Sequence, residues 1–345
     1  MRWPWQRRRS TEPFVISWSG QTFAFVQASL KADGLFHIER VGVEQQGADS
    51  PEEFIKRLAA KGLKGAHVRV MLRPEQYQIL QIPAPAVAPE ELRSAARFQI
   101  RDMVDAHMDD LTLDVMRVGD EAVRANNQLF VVAAANAMVR TVLELGDALH
   151  WDMQVIDIQD MAQRNLQTAL AQRSAKLERA GAVLFVTSDK QALLTISAKE
   201  ELFYTRRIEL SPGFMEARWG QGEVGEAQSD DPFADVPEYV PSYAAPAAPA
   251  APAEDDPTQR FIVELQRSLD VWDRTWPNLP LDGLSVRAGQ RSGEMAQWLS
   301  RELGLGVSAL DVAALFPGFD KGSEADQAVC YPLLGALLRS ETRKL

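Results

Sequence analysis

The same order of secondary-structure elements is predicted twice in this chain, and this duplication restricts the fold more than any other feature. Three strands, a helix and a further strand are predicted around residues 14–72, and again around residues 182–311. In the first unit, the hydrophobic runs Phe14–Trp18 and Thr22–Leu30 flank the turn Ser19-Gly20-Gln21, as in a β-hairpin. Ser50-Pro51-Glu52-Glu53 has the pattern of a capped helix start, and Gly62 is predicted to end that helix. The chain is therefore expected to contain two similar α/β units.

An acidic, proline-rich segment interrupts the second unit. Three strands are predicted between residues 182 and 210, but the helix that should follow them begins only at Gln259. Residues 221–257 contain nine acidic side chains and seven prolines, and they lack lysine and arginine. Such a segment buries too little apolar surface to offset its ordering entropy, so we expect a disordered, extended linker. A docking motif is the alternative, built on the apolar residues Phe233, Tyr239, Val240 and Tyr243.

An internal duplication of this unit is the plan of the actin, sugar-kinase and heat-shock ATPase superfamily. We therefore predict an α/β chain with a duplicated, two-lobed actin-like fold, whose halves face each other across a nucleotide cleft. Strands and helices between the halves predict an inserted αβ subdomain. In this region one helix is expected to run through about Met103, Asn136 is expected to cap the next helix, and Asp157 is expected to begin the helix after that. The predicted divisions are a basic aromatic tail at 1–12, the first lobe at 13–72, the inserted subdomain at 73–150, the end of the first lobe at 151–181, the strands of the second lobe at 182–220, the linker at 221–257 and the remaining helices and strands of the second lobe at 258–341.

Charge and composition exclude several classes of protein. The formal net charge is −11, and the nine carboxylates of the linker account for most of it. The rest of the chain offers no strongly basic face to a phosphate backbone, so no nucleic-acid partner is expected. Because Cys330 is the single cysteine, we expect a buried thiol in a protein of a reducing compartment. No apolar run approaches the ~20 residues of a transmembrane helix, and none follows the N-terminal charges as in a secretory signal.

Motifs for metal or hydrolytic chemistry are missing from the sequence. The four histidines, His37, His67, His107 and His150, lack the spacing of metal ligands. The sequence contains neither a Walker lysine motif nor a Gly-x-Ser-x-Gly elbow. We therefore predict no metal site and no catalytic residue.

Four segments carry a resemblance to a known family. They are Leu72-Arg73-Pro74-Glu75-Gln76-Tyr77 with the strand to Pro83, Pro89-Glu90-Glu91-Leu92 with the region through Met103 to Asp114, Glu264-Leu265-Gln266-Arg267-Ser268-Leu269-Asp270, and the turn at Ala288-Gly289. In this order they resemble the PilM-like proteins of type IV pilus systems, and most closely their mannose-sensitive haemagglutinin (MSHA) branch, MshI. The resemblance implies an actin-like fold and a place in the cytosolic ring of an inner-membrane assembly platform.

The resemblance also implies a partner and a location. PilM-type proteins bind the cytosolic N-terminal peptide of a single-span inner-membrane protein, which here would be PilN- or MshJ-like. The chain is thus expected to be cytoplasmic and peripheral to the inner membrane, where it could also form oligomers. Two alternatives to this non-catalytic scaffold remain open: an actin-like ATPase that drives pilus assembly, and a structural subunit of a type II secretion-like platform.

The first nucleotide-binding element of the actin-like ATPases is altered in this sequence. Those ATPases place a carboxylate at the end of the first strand, and glycine-rich turns in both halves approach the phosphates. In comparison with PilM-like ATPases, Ser17 stands in place of the aspartate, and a serine supplies no charge to a hydrated magnesium ion. Ser19 stands in place of a glycine, and Gly20 and Gln21 follow it.

The other two elements, both in the second half, are altered as well. The turn between Thr187 and Gln191 lacks glycine; it contains Ser188 and Asp189, and an aspartate is also typical of an ordinary turn. The third element of these ATPases is a turn with two glycines on which the adenosine lies flat, called here the adenosine turn; in this sequence it keeps Gly289 as one glycine of the pair. We therefore expect no ATP hydrolysis and no required cofactor, with weak ATP binding left open.

The resemblance places the partner peptide in a groove between the first half and its inserted subdomain. The matching residues are Tyr77, Ile79, Leu80, Ile82 and Phe98. Leu80 and Ile82 share one side of a predicted strand, so one side should pack inward while the other side, or the strand's edge, receives the peptide. Phe98 is expected to shape the groove, because an aromatic ring at a subdomain seam buries a large area. The alternative is that all of these residues are ordinary core.

The N-terminal tail combines aromatic and basic residues. It contains Trp3, Trp5, Arg7, Arg8 and Arg9. Indoles lie at the level of lipid headgroups and arginines attract anionic lipid, so this pattern predicts reversible contact with a membrane surface. The alternative is a basic start of the chain without lipid contact.

Overall fold

The computed structural model describes residues 13–119, 128–219 and 257–340. Across these ranges thirteen strands form three sheets. The strands are β1 (Phe14–Trp18), β2 (Thr22–Leu30), β3 (Phe36–Gln45), β4 (His67–Leu72), β5 (Tyr77–Pro83), β6 (Leu111–Arg117), β7 (Gln128–Ala135), β8 (Asp152–Ile158), β9 (Ala180–Ser188), β10 (Gln191–Ala198), β11 (Glu201–Glu209), β12 (Leu281–Arg287) and β13 (Val307–Ala309).

Two five-stranded sheets share one topology. The first sheet has the strand order β3-β2-β1-β4-β8, and the second has the order β11-β10-β9-β12-β13. In each sheet the first three strands pair antiparallel and the last two are added in parallel. The predicted duplication is therefore confirmed. In sheets of this kind, ligands bind at the carboxyl ends of the parallel strands.

The helices follow several of the local sequence signals. Ser50 and Glu53 form the predicted capping box of the first helix. Gly62 (φ 83°) is left-handed where the first helix was predicted to end, and Gly304 (φ 61°) is the left-handed cap of a later helix. The helices are α1 (Pro51–Leu58, continued by a π-helical turn, Ala59–Leu63), α2 (Leu92–Gln99), α3 (Asn136–Ala148), α4 (Gln159–Arg173), α5 (Pro257–Thr275), α6 (Ser292–Leu303), α7 (Glu324–Cys330) and α8 (Leu334–Leu337).

Two predicted helix caps are wrong, because distant partners bind the side chains in question. Asn136 is the first residue of α3 rather than its cap, and its amide donates to the Asp109 carbonyl oxygen at 2.7 Å. Asp157 does not begin α4; it is buried near the end of β8 and pairs with Arg339 at 2.8 Å.

Two other boundaries differ by a few residues. α2 ends at Gln99 instead of near Met103, since the chain turns back and Arg97 donates to the Met108 carbonyl oxygen. Pro257, which was assigned to the linker, is the first residue of α5. Proline suits this position because the first turn of a helix does not use its N–H groups.

The third sheet, with the order β5-β7-β6, forms an inserted unit between elements of the first half. Leu92, Ala96 and Ile100 of the α2 region pack on one face of this sheet. Arg93 in α2 pairs with Asp114 in β6 at 3.1 Å. β5 and β6 are thus the two edge strands, and α2 is tied to the β6 side.

Two helices cross closely where the halves meet. A Cβ atom added to Gly335 in α8 would lie 1.9 Å from the carbonyl oxygen of Ala162 in α4. The amide of Asn165 donates to the Gly335 carbonyl oxygen at 3.0 Å. Arg69 in β4 donates to two carbonyl oxygens at the end of α8, at 3.1 and 2.9 Å. The crossing therefore requires glycine at position 335.

The segment after β13 lies between the two large sheets. Residues 310–337 supply buried side chains to a cluster that also contains Val15 from the first sheet and Phe185 from the second. Cys330 is buried in this cluster, as predicted, and burial raises the pKa of its thiol from 9.0 to about 12. The C-terminal helices α7 and α8 thus form part of the core that joins the halves.

In the parts of the chain that the structure describes, every helix is too short or too polar to cross a membrane. Residues 1–12 and 220–256 lie outside the described residues. Two predictions fall on those ranges: the linker, and the lipid contact of Trp3, Trp5, Arg7, Arg8 and Arg9.

Candidate functional site

An arginine is bonded to the serine that stands in place of the ATPase aspartate. Ser17 is buried in β1, and Arg73 directly follows the neighbouring strand β4. The Arg73 Nε donates to the Ser17 hydroxyl at 3.0 Å, and its Nη2 donates to the Val329 carbonyl oxygen at 3.1 Å. Burial lowers the pKa of Arg73, but a guanidinium group stays charged at all ordinary pH values. A fixed positive charge here does not fit a hydrated magnesium ion.

The first turn keeps its shape but uses its own hydrogen-bonding groups. Gly20 is left-handed (φ 87°), as a tight turn requires. The Ser19 N–H donates to the Thr22 carbonyl oxygen at 3.2 Å, and the Thr22 N–H donates to the Ser19 hydroxyl at 3.0 Å. Gln21 accepts a backbone bond from Gln46 at 2.8 Å. The N–H groups of Ser19 and Thr22 are therefore engaged within the hairpin instead of being available to a phosphate.

The second turn is an ordinary hairpin connection. Ser188 pairs with Gln191, so Asp189 and Lys190 form a two-residue turn, and all but Gln191 are exposed. Neither residue of the turn has a positive φ. The close approach of backbone N–H groups that a glycine-rich turn offers to a phosphate is therefore not reproduced here.

The adenosine turn is bonded to itself and to the C-terminal segment. Gly289 is left-handed (φ 57°), and its carbonyl oxygen accepts from the Ser292 hydroxyl at 2.6 Å. Gln290 bonds the carboxylate of Glu324 in α7. The turn thus contacts a helix that also packs on the first sheet.

A tyrosine ring lies between the two halves, near the carboxyl end of β12. Tyr331 is buried, and its ring centroid is 5.7 Å from that of Phe185 in β9. The guanidinium of Arg287, the last residue of β12, lies 4.1 Å from the same ring. The Tyr331 hydroxyl donates to the Leu310 carbonyl oxygen at 2.7 Å. Protein side chains therefore pack between the sheets close to the adenosine turn.

Two carboxylates next to the crossing helices are buried, which the sequence did not predict. Asp160 is fully buried in α4 and accepts from the hydroxyls of Tyr77 and Thr205. Asp157 precedes Asp160 in the chain; it is also buried, and it pairs with Arg339. Both carboxylates hold parts of the chain together, so neither is free to act as a general base. The sequence signal for these buried carboxylates was weak, because much of the buried surface of α4 is polar: it includes Gln159, Asp160, Gln163, Arg164 and Asn165.

Four of the five predicted groove residues lie together on β5. Tyr77 is buried, and its burial, followed by the charge of Asp160, raises the pKa of its hydroxyl well above 10.0. Ile79 shares its face of the strand and packs toward the two large sheets. Leu80 and Ile82 pack on the other face, within the inserted unit. Both faces of the strand are thus core, as the alternative had it, and only its edge lacks a partner strand among the described residues.

Phe98 is not brought together with the other four. Its side chain is 76% exposed on α2, so the expectation of a large buried area at a seam is wrong. The physical reason is helix geometry: Ala96 and Ile100 face the sheet, and a residue midway between them points away. Because α2 is tied to β6, Phe98 also belongs to the opposite side of the inserted sheet from β5.

Across the described ranges, no group of three or more His, Cys, Asp or Glu side chains is placed to hold a metal ion.

Comparison with solved structures gives similarity over nearly the whole chain. The PilM–PilN type IV pilus biogenesis complex is 14% identical, covers 95% of this chain and 99% of the other, and has a TM-score of 0.61. The cytoplasmic domain of EpsL, an inner-membrane component of the type II secretion system of Vibrio cholerae, is 15% identical, with 63% and 79% covered and a TM-score of 0.42. A Bacteroides thetaiotaomicron protein with an actin-like ATPase fold is 9% identical, with 93% and 96% covered and a TM-score of 0.48.

The TM-scores of the EpsL and Bacteroides thetaiotaomicron structures lie below 0.5, whereas the TM-score of 0.61 for the PilM–PilN complex supports a shared fold. Together with the duplicated sheets, it confirms the predicted α/β fold: the chain has the actin-like architecture with an inserted αβ unit. No protein-family model matches the sequence, and no curated protein matches it significantly.

Proposed function

We propose that the chain is a non-catalytic scaffold of an MSHA-type pilus assembly platform. In this role it binds the cytosolic N-terminal peptide of a PilN- or MshJ-like single-span membrane protein. The similarity in fold to the PilM–PilN complex supports the proposal. The chain would then act in the cytoplasm, at the periphery of the inner membrane, with its N-terminal tail as an additional contact to lipid.

The free edge of β5 is the observation that carries this proposal. β5 pairs with β7 on one side and has no strand on the other among the described residues. The Tyr77 carbonyl oxygen accepts from Arg207 of β11 at 2.7 Å, so it points away from β7. Because main-chain groups alternate along an antiparallel strand, Ile79 and Gln81 also direct their N–H and C=O groups outward. An extended peptide could pair with these two residues as an added strand.

Both ends of this edge are closed. Arg207 already bonds the Tyr77 carbonyl oxygen, and its guanidinium lies 4.9 Å from the Tyr77 ring centroid. At the other end, Pro83 continues the series of residues whose main-chain groups face outward, but proline has no N–H to donate. The edge therefore offers main-chain bonding over a short stretch centred on Leu80. A partner strand of a few residues would match it.

The bonded Arg73 speaks against the ATPase alternative. A driving ATPase needs a metal ion at the end of β1, and the Arg73 guanidinium adds positive charge to that place. A structural subunit of a type II secretion-like platform would share the non-catalytic body and differ in its partner. The identity of the peptide that pairs with β5 therefore separates the two remaining functions.

Substitution of Gln81 by proline tests this proposal. Proline on a sheet edge is tolerated where the N–H faces outward, so Gln81→Pro should fold while losing one of the exposed donors. The matched control is Gln81→Ala, which removes the side chain and keeps the donor. The probe is a labelled synthetic peptide with the cytosolic N-terminal sequence of the PilN-like protein, and its binding is followed by fluorescence anisotropy.

The expected result is a peptide affinity at least about tenfold weaker for the proline variant, with the alanine variant unchanged. Circular dichroism and thermal unfolding establish that both variants fold. Equal affinity in a folded Gln81→Pro variant would contradict pairing at β5, and equal loss in both variants would assign the effect to the glutamine side chain.

A further inference from the structure

Helix α2 buries one face and exposes a large aromatic ring on the other. Leu92, Ala96 and Ile100 recur every four residues and pack on the inserted sheet. Phe98 points away from that sheet and is 76% exposed. Met103, just beyond the helix, is 52% exposed. Two large apolar side chains are therefore exposed near the end of one helix.

The exposed ring is held on an anchored element. Arg101 lies one turn after Phe98, with its guanidinium 5.6 Å from the ring centroid. Arg97 fixes the helix from the other side by pairing with Asp109 at 2.9 Å. The ring is thus presented on a helix whose position is determined by contacts elsewhere, as in a preformed binding surface.

The surroundings of Phe98 are acidic. Residues 89–114 contain seven carboxylates and three arginines. Two of those arginines, Arg93 and Arg97, are turned to carboxylates beside the sheet. Glu91 and Asp102 are exposed in the turns on either side of α2, and Asp102 pairs with the third arginine, Arg101, at 3.5 Å. The surface therefore combines an apolar anchor with an excess of negative charge.

The sign of this charge decides which occupant suits the surface. An exposed aromatic ring beside arginines can insert into a lipid interface, but anionic headgroups would be repelled by the excess carboxylates. A peptide that carries positive charges and aromatic rings satisfies both the charge and the apolar contact. One segment of this chain has that composition.

We propose that the exposed surface of α2 and its two flanking turns, defined by Glu91, Phe98, Asp102 and Met103, binds the N-terminal segment of the chain at residues 2–9. That segment reads Arg2-Trp3-Pro4-Trp5-Gln6-Arg7-Arg8-Arg9, with four guanidinium groups, two indoles and no carboxylate. Its indoles pack on Phe98 and Met103, and its arginines face Glu91 and Asp102. The same side chains are the ones proposed to contact lipid, so binding to α2 and binding to a membrane exclude each other.

The test supplies the segment as a separate probe to the full-length chain. The probe is a fluorescently labelled synthetic peptide of residues 1–12. So that the chain's own tail does not compete, the background protein carries five substitutions: Trp3→Ala, Trp5→Ala, Arg7→Gln, Arg8→Gln and Arg9→Gln. Into this background we introduce Phe98→Ala, and separately Glu91→Gln with Asp102→Asn. The matched control is Val271→Ala, which removes an apolar side chain that is 46% exposed on α5.

The peptide should bind the background protein, and Phe98→Ala should weaken binding about tenfold, as truncation of an interface anchor does. The pair of neutralised carboxylates should also weaken it, and Val271→Ala should leave it unchanged. An increase in ionic strength of about tenfold, which shortens the Debye length about threefold, should weaken it further. Vesicles of anionic phospholipid should displace the peptide from the protein.

Three results would overturn the proposal. They are equal affinity for the folded Phe98→Ala variant, equal losses in Phe98→Ala and Val271→Ala, and a peptide that binds the vesicles but not the protein. Because none of the substituted residues lies on the β5 edge, the PilN-like peptide should bind all these variants equally. Failure of the α2 proposal is therefore distinguishable from failure of the proposed function.

Discussion

The Arg73 guanidinium donates to the Ser17 hydroxyl across 3.0 Å, and it reaches the Val329 carbonyl oxygen with its other end at 3.1 Å. One side chain thereby connects β1, the end of β4 and the C-terminal helix α7. The same contact places a permanent positive charge beside Ser17, the residue that the sequence comparison aligns with the aspartate of PilM-like ATPases.

Removal of this bond should destabilise the fold. Arg73→Met keeps much of the side-chain volume but leaves the Ser17 hydroxyl and the Val329 carbonyl oxygen without their donor. Loss of a partner for buried polar groups costs about 1–3 kcal/mol of unfolding free energy. Urea unfolding followed by circular dichroism measures the change, with Arg301→Met at an exposed helix position as the control. Equal stability of the two variants would show that the Arg73 bonds are not structural.

The crossing of α4 and α8 should tolerate no side chain at position 335. Gly335→Ala places a methyl group 1.9 Å from the Ala162 carbonyl oxygen, so the helices must separate. Overpacking of this kind costs about 1–3 kcal/mol or more. The control is Gly293→Ala in α6, where an added Cβ meets no atom within 4 Å. That substitution should leave the melting temperature unchanged or raise it, and a normal melting temperature for Gly335→Ala would show that the helices move apart freely.

The duplicated fold could be predicted because it rests on local patterns. Alternating hydrophobic runs and turn residues place β1 and β2 at the observed boundaries, and the capping box places α1. Such signals lie within a few residues of the elements that they specify. They repeat in both halves, so the order of elements alone reveals the duplication.

The bonds of the candidate site could not be predicted in this way. Arg73 binds Ser17, which is 56 residues away, and Val329, which is 256 residues away. The Asn136 and Asp157 side chains bind distant partners instead of capping the nearest helix. The exposure of Phe98 depends on which face of α2 meets the sheet, and one helical turn of sequence does not determine that orientation.

The buried thiol predicts a loss of stability at alkaline pH. Burial raises the pKa of Cys330 from 9.0 to about 12, so the folded state keeps a proton that the unfolded state releases. The stabilisation is fully present below pH 9 and is lost as the pH rises from 9 toward 12. In this window the thiol contributes a slope of about 1.4 kcal/mol per pH unit.

The Cys330→Ala variant isolates this contribution, because the remaining titrating groups are common to both proteins. Urea unfolding at pH 8, 9, 10 and 11 gives the free energy of unfolding of both proteins at each pH, and these steps are close enough to resolve the slope. The difference between the proteins should fall as the pH rises above 9. A constant difference across this range would show that the thiol is not buried in the folded chain.

The acidic segment should be dispensable for folding. Trp219 and Phe261 lie on either side of it in sequence, and both rings pack on Trp298, with centroids 5.8 and 6.1 Å away. A short loop can therefore join the two ends, and closure entropy changes slowly with loop length. Replacement of residues 222–254 by a short Gly-Ser loop should preserve a single cooperative unfolding transition. Loss of cooperativity would show that the segment packs on the body.

Thermal unfolding with and without millimolar Mg-ATP tests most directly whether the protein is a non-catalytic scaffold, because a working actin-like ATPase would bind this nucleotide in its cleft. For a site with a dissociation constant of ~10 μM, 1 mM nucleotide is about 100 times that constant. Binding would then add about 2.7 kcal/mol to the free energy of unfolding and raise the melting temperature by several degrees. We predict a change in melting temperature of less than about one degree. A reproducible rise of several degrees that depends on magnesium would contradict the account.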